Sequence, residues 1–460
     1  MKTSLCISTV CGMLLLTGCA QEDMNPKADM QLPEQSTTQT TASPDAGTPF
    51  KLYAPQAQAE PTDAQVAQAQ RLNDFALRLF DVIRQDGKSL VFSPLSLGYA
   101  LGMAALACDG TPLAELNAML GLEADDTSTL HDLYATLMQY LPAADPNVSI
   151  NVANAFYLNA ARTDVKLNPD YRQALITNYL ADCEALDFYE QASLDYINDW
   201  CNRQTNGFIP EVLKELNPTS ISYLLNALYF KADWTCPFGT DFTREKDFIR
   251  EDGKTVKVKM MSHGTSMRFP YAEDETMQVL CLPYARGSYY MTVLLPKTGH
   301  TIDDVLNSLT SNRLSGILTL PFLERYGPEV AVSMPRFETE ETTNLVEPLK
   351  ALGIPSWFGG GQIRGMVQNL DGTPHGVFVS NVFQKARIKV NEKGTEAAAV
   401  TIMEFTDGMP MDPPVAFTAD HPFVYFISEP SSRTLLFVGT YHGEAEGGTG
   451  EENGIKDVKM

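Results

Sequence analysis

The chain has 460 residues, of which 44% are apolar and 20% charged, with a formal net charge of −23 and an isoelectric point near 4.6. The apolar share is ample for a large core, in one big domain or two ordinary ones, and excludes a chain disordered throughout. The acidic balance excludes non-specific nucleic-acid binding, so no nucleic acid is expected as a partner.

Residues 1–18 read as a signal, with Lys2 as a short positive region and Leu14–Leu16 as the apolar one. Leu16-Thr17-Gly18-Cys19 resembles a bacterial lipobox, which implies lipidation of Cys19 as the first mature residue; a plain secretory signal or a chance cysteine are the alternatives. The apolar run is too short to span a bilayer, so the membrane anchor would be the acyl chains. That places the protein in a bacterial cell envelope, at the outer membrane or the cell surface. Residues 19–64, rich in Gln, Thr, Ala, Pro and Asp, read as a disordered tether, and residues 443–460 as a loose tail. Residues 65–442 remain as the folded part. Beyond Cys6, Cys11 and Cys19 stand Cys108, Cys183, Cys201, Cys236 and Cys281. An odd, widely spaced set is no disulfide framework and has no metal-ligand spacing; small apolar fillers are expected.

In the folded part, residues 66–86 carry Leu72, Phe75, Leu79, Val82 and Ile83 at helical spacing, with Gly87 as a stop. Ser93-Pro94 then opens a second helix, LGYALGMAALACDG, apolar almost all round and so buried on all sides. Ser93 and Ser96 sit at its start, where capping and packing suit them better than nucleophilic chemistry. Residues 149–158 form a strand candidate, and residues 193–206 an amphipathic helix before Gly207. Leu224–Phe230 is an apolar strand followed by Trp234, which reads as core; residues 256–261 and 277–296 give more strands. Val377–Val390 alternates and reads as one long strand. No internal repeat and no second-domain linker is visible.

That strand leads into Asn391–Phe423. Thr395, Ala397, Ala399 and Thr401 fall on one side of an extended chain, and Glu396, Ala398, Val400 and Ile402 on the other. A strand with only Ala and Thr inward displaces little volume if it slips between larger strands. Gly394 tolerates unusual backbone angles, which makes a hinge there cheap. Asp407-Gly408 and the prolines at 410, 413 and 414 break regular structure. A loop able to become a strand fits all of this; an Ala-rich helix or an ordinary surface loop fits the Glu396–Ala399 segment as well.

Several of these phrases resemble the serpin family. Glu392-Lys-Gly-Thr-Glu-Ala-Ala-Ala399 is similar to the hinge of an inhibitory serpin, and His421-Pro-Phe423 with Leu436-Phe-Val-Gly439 to the carboxy-terminal strands. FSPLSLGYALGMAALACDG, NALYFKADWTCPF, MQVLCLPYARGSYYMTVLLP and SMPRF follow in family order, so the resemblance covers roughly residues 66–442. It implies an α+β serpin fold with three β-sheets, about nine helices and an exposed reactive-centre loop. It also implies a monomer that is not an enzyme: a suicide inhibitor of serine, and possibly also cysteine, proteases. A target protease attacks the loop and forms a covalent acyl complex. The loop then inserts into the main sheet from Thr395 onward, dragging the protease with it. The implied hinge is Glu392, Gly394, Thr395, Glu396, Ala397, Ala398, Ala399 and Thr401. The implied sheet-opening region is Ser93, Ser96, Asn226, Trp234 and Gln384. Seventeen residues counted from Glu392 put the reactive bond at Gly408-Met409, with Phe405 and Asp407 as alternatives. A non-inhibitory serpin acting as a binding or carrier protein is the other reading; such proteins tend to carry bulky or charged inward hinge residues.

Two departures from the family pattern stand out. Gln384 occupies the place of a usual His that bonds a buried Asn equivalent to Asn226; Gln can donate and accept like a neutral His, but it does not titrate. Trp357-Phe-Gly-Gly-Gly361 replaces a usually acidic segment. No G-x-S-x-G, H-E-x-x-H, P-loop or G-x-G-x-x-G occurs, and the six histidines are scattered, so no cofactor and no metal is expected.

Overall fold

A computed structural model of the chain describes residues 61–122, 128–324, 327–395 and 413–444. Cys19 and most of the tether, the loop positions from Glu396 through Ala397, Ala398, Ala399, Thr401, Phe405, Asp407 and Gly408 to Met409, and the tail from 445 lie outside the described residues.

Nine α-helices lie among the described residues: α1 (Asp63–Ile83), α2 (Pro94–Ala105), α3 (Gly110–Leu120), α4 (Ser128–Ala144), α5 (Pro169–Tyr179), α6 (Gln191–Gln204), α7 (Ile302–Ser308), α8 (Ser311–Leu323) and α9 (Val346–Leu352). Helix α1 starts on a capping box, Thr62 accepting from the Gln65 amide while the Gln65 side chain reaches back. It therefore takes in the last two residues assigned to the tether. Helix α2 is capped by Ser93, whose Oγ accepts from the Ser96 amide, and has Pro94 in its first turn.

The strands are β1 (Leu90–Phe92), β2 (Val148–Asn159), β3 (Val165–Leu167), β4 (Asp182–Leu186), β5 (Ser222–Asp233), β6 (Arg244–Ile249), β7 (Thr255–Ser262), β8 (Met267–Arg268), β9 (Tyr271–Glu273), β10 (Met277–Tyr284), β11 (Tyr289–Pro296), β12 (Glu329–Pro335), β13 (Phe337–Asn344), β14 (Ile363–Asn369), β15 (Pro374–Val377), β16 (Phe383–Val390), β17 (Gly394–Thr395), β18 (Val415–Thr418), β19 (Phe423–Glu429) and β20 (Thr434–Tyr441). Three large sheets run β1-β20-β19-β11-β10-β9, β18-β12-β7-β6, with β8 beside β12, and β13-β16-β17-β5-β2-β4. A fourth, small sheet, β15-β14-β3, adds to the three expected. It exists because Thr373 and its neighbours turn the chain after β14 back onto it, with the Asn369 amide bonding the Thr373 carbonyl at 2.8 Å.

Strands β11, β19 and β20 are buried along their whole length, which is why they read as unbroken apolar runs rather than alternating ones. They anchor one large core, and a second, smaller core lies under α6, built on Tyr157, Trp200, Cys201 and Ile209. The five cysteines of the folded part are free thiols. At the other end, Glu444 holds the Ser89 amide and hydroxyl, and Gly443 accepts from Arg250, so the fold takes in two residues assigned to the tail.

The long strand expected over Val377–Val390 is broken. Val377 belongs to β15, opposite Ile363, and β16 begins only at Phe383, opposite Asn344 of β13. Alternation supplies the right faces for a strand, but a ladder also needs a neighbour, and residues 378–382 have none in the central sheet.

Candidate functional site

The central sheet is joined across its middle by two residues. In β17, Thr395 pairs with Val390 of β16 on one side and Ala232 of β5 on the other, and Gly394 pairs with Asp233. Below that level, no strand among the described residues lies between Leu225–Lys231 of β5 and Phe383–Lys389 of β16. The space is a cleft of about 470 Å³, floored by Leu97, Leu101 and Ala104 of α2 and lined by Asn226, Leu228 and Gln384.

The top of the cleft is built from Asn391-Glu-Lys-Gly394, a turn closed by the Asn391 amide on the Gly394 carbonyl at 2.9 Å and by the Lys393 amide on Asn391 Oδ1 at 3.0 Å. Four groups fix this turn to the body. The Trp234 amide donates to the Lys393 carbonyl and the Phe238 amide to the Glu392 carbonyl, both at 2.7 Å. Trp234 Nε1 donates to the Asn391 carbonyl at 2.9 Å, while its ring stacks on Tyr284 at 4.3 Å. The buried Glu392 carboxylate accepts from Thr243 Oγ1 at 2.8 Å and lies 3.6 Å from Arg336. Trp234 is thus core and hinge support at once.

Thr395 is 3% exposed, and its hydroxyl shares a 2.6 Å hydrogen bond with Tyr284 Oη. Burial pushes the Tyr284 hydroxyl well above the usual tyrosine range, so this bond stays neutral. Gly394 serves a different purpose from the one its sequence suggests. Its φ is not in the left-handed region. A Cβ there would stand 2.1 Å from the Ala232 carbonyl oxygen and 2.6 Å from Asp233 Cα. The glycine lets two backbones touch.

Gln384 does not meet Asn226. Its Oε1 accepts from the Ser93 amide and its Nε2 donates to the Ser93 carbonyl, both at 2.8 Å, which ties β16 to the start of α2. Ser93 Oγ in turn donates to the Leu436 carbonyl at 2.8 Å. Asn226 instead donates to Asn154 Oδ1 at 2.7 Å, within its own half of the sheet, and its Oδ1 is buried with no partner. The expected side-chain bridge is absent because the cleft separates its two ends. What the arrangement offers is two hydrogen-bonding strand edges, an apolar floor and one orphaned acceptor, with a strand already started at the top.

Nearby, His263 stacks on Phe238 at 4.1 Å and its Nε2 donates to the Cys236 carbonyl at 3.0 Å, leaving Nδ1 buried without a partner. Burial holds its pKa down to about 4. No group of His, Cys, Asp or Glu among the described residues could hold a metal ion. Tyr284, Thr243 and Arg336 were not legible as hinge partners: they lie more than 50 residues away in sequence, with no motif to link them.

Comparison with known proteins bears on this geometry. The family model described as Serpin (serine protease inhibitor) matches residues 70–443. Iripin-2 of Ixodes ricinus is 32% identical over 375 residues, 80% of this chain and 91% of that one. The crystal structure of a thermophilic serpin, tengpin, in the native state superposes with a TM-score of 0.72 at 25% identity, covering 85% of this chain and 97% of that one. Human thyroxine-binding globulin gives a TM-score of 0.71 at 25% identity, covering 83% and 100%.

Proposed function

The chain belongs to the serpin family, and from that premise we propose that it is a suicide inhibitor of serine proteases, with papain-like cysteine proteases as a second class of target. The observation that carries this reading is Thr395, seated in the two-residue strand β17 at the head of an unfilled cleft. Continuing its two registers downward sets Ala397 between Phe230 and Ile388, Ala399 between Leu228 and Ala386, and Thr401 between Asn226 and Gln384. Every inward place is thus filled by Ala or Thr, and Thr401 brings a hydroxyl to the orphaned Asn226 Oδ1. On the outer side Glu396 falls between Lys231 and Lys389.

In the proposed reaction the nucleophile of the protease attacks the Gly408 carbonyl. The bond to Met409 breaks, Met409 leaves as an amine with the proton, and the chain is left as an acyl ester on the protease, or a thioester on a cysteine enzyme. Glycine at the bond fits a shallow, elastase-like pocket. Insertion of Glu396–Ile402 would then add about fourteen ladder bonds at ~1 kcal/mol each, on the order of 10 kcal/mol, before packing in the cleft is counted. That is comparable with the whole stability of many domains, and enough to drive displacement of a bound protease.

Likeness to thyroxine-binding globulin favours a second reading, a carrier, with the cleft left unused. Incubation with a panel of serine and cysteine proteases decides between them. The inhibitor reading expects complexes that survive denaturing gels and a loop-cleaved form that melts higher than the intact one; cleavage with no complex and no gain in melting temperature refutes it. No helix among the described residues is long and apolar enough to cross a membrane. The proposed attachment is a lipid at Cys19, and membrane binding that persists unchanged in Cys19→Ser refutes it.

A further inference from the structure

The two halves of the divided sheet are bridged a second time, on the outer face. Helix α6 ends in Asn206-Gly207, both with left-handed φ, of 51° and 81°. This turn is pinned by the Gly207 amide on the Asn202 carbonyl at 2.8 Å and the Ile209 amide on Thr205 Oγ1 at 2.9 Å. It carries Phe208 to a place between β5 and β16. The Phe208 ring meets Tyr229 of β5 edge-on, centroids 6.2 Å apart. On its other side the Arg387 guanidinium of β16 lies 4.6 Å from the ring centroid, and Arg387 Nη1 donates to the Phe208 carbonyl at 3.0 Å. Arg387 is held in place by Glu338 of β13, which accepts from its Nε at 2.9 Å.

The register fixes what this bridge obstructs. The residue of an inserted strand that falls between Tyr229 and Arg387 is Ala398, three places past the seated Thr395. By the alternation that points Thr395 inward, Ala398 of such a strand would face outward, against Phe208, while both contacts stand. We propose that Phe208 and Arg387 form a latch across the cleft whose opening limits loop insertion and so sets how often the protease is trapped. The chemistry suits a latch: one cation–π contact and one charge-assisted bond to a carbonyl, partly exposed, are firm enough to hold and weak enough to release.

This inference rests on the protease-trapping reading, and the experiment separates the two. An acetylated peptide of the sequence Glu396–Phe405, which leaves the place of the seated Thr395 alone, is added to the intact protein, and its uptake is followed by the rise in melting temperature. Phe208→Ala should take up the peptide about tenfold faster than wild type, the weight of one such contact in rate. Arg387→Lys keeps the charge beside Glu338 but loses the planar fork; it should be accelerated similarly, and the double variant no further than either single one. Phe208→Leu, which retains an apolar side chain, guards against loss of fold and should still be accelerated. Equal uptake rates in wild type and all variants, with wild type still forming gel-stable protease complexes, would overturn the latch alone. Neither uptake nor complex in any form would overturn the trapping reading and the latch with it.

Discussion

Ala397→Arg tests the direction and register of insertion together. In the continued registers Ala397 lies between Phe230 and Ile388, which are 4% and 2% exposed and face the core. An arginine arriving there meets no carboxylate on Phe230 or Ile388, nor on the residues beside them, Tyr229, Lys231, Arg387 and Lys389. Burying such a charge unpaired costs several kcal/mol. If only ~3 kcal/mol of that reaches the transition state for insertion, the step slows more than a hundredfold. Hydrolysis of the acyl intermediate is untouched, so the variant should be cut at the same bond and at a similar rate, yet release active protease. The readout is the number of inhibitor molecules consumed per protease trapped, which should rise by at least tenfold. Glu396→Gln is the matched control: its position faces outward between Lys231 and Lys389, and loss of one exposed ion pair is worth less than about 1 kcal/mol. Position 395 serves less well, because Thr395 is already seated and bonded to Tyr284, so a substitution there also disturbs the native state. A wild-type ratio for Ala397→Arg, or equal effects from the two variants, would refute the alternation and the register.

Gly394→Ala drives a Cβ into the Ala232 carbonyl and should cost about 1–3 kcal/mol, lowering the melting temperature and weakening the β17 pairing; an unchanged melting temperature counts against the close-approach argument. Gln384→Met strands the Ser93 amide and carbonyl, for a loss of about 2–4 kcal/mol in denaturant unfolding, whereas a surface glutamine would cost almost nothing. For His263 the folded pKa of about 4 lies below the ordinary 6.5, so between those values the unfolded chain binds the extra proton. Stability should fall as pH drops through that window, by on the order of 3 kcal/mol from this group, and His263→Gln should flatten the slope of melting temperature against pH.

Much of this was legible one element at a time. The 3.6-residue spacing in α1, the unbroken apolar run of α2 and the fill of β10, β11, β19 and β20 all follow from which side chains must leave water. What escaped depends on partners distant in sequence. Val377–Val390 has the alternation of one strand, and only the missing neighbour ends β16 at Phe383. Gln384 has the donors and acceptors to reach Asn226, but bonds Ser93 because the cleft intervenes. Gly394 was read for its backbone freedom and is needed for the space it leaves. Nothing near Phe208 or Arg387 announces that they meet, 179 residues apart.

If the loop inserts as proposed, the distribution of bonds around the cleft would let a stored strand be both quiet and fast. A loop that had to find its place in the sheet unaided would first face the entropy of closing on itself. Here that cost is already met: the turn at Asn391–Gly394 is held by Trp234, Phe238 and Thr243, and Thr395 has both its neighbours. Each later residue would then extend an existing ladder, as propagation extends a nucleated helix. On the walls, the polar groups that might have bonded across the gap have other partners, Asn226 bonding Asn154 within its half of the sheet and Gln384 bonding Ser93 at the start of α2. Asn226 and Gln384 therefore put no direct bond across the cleft, and on its outer face Phe208 and Arg387 join the two walls. On the proposed reading, a started strand above, walls that make no bond to each other below and one releasable bridge between them would give insertion a low barrier that a single side chain can tune.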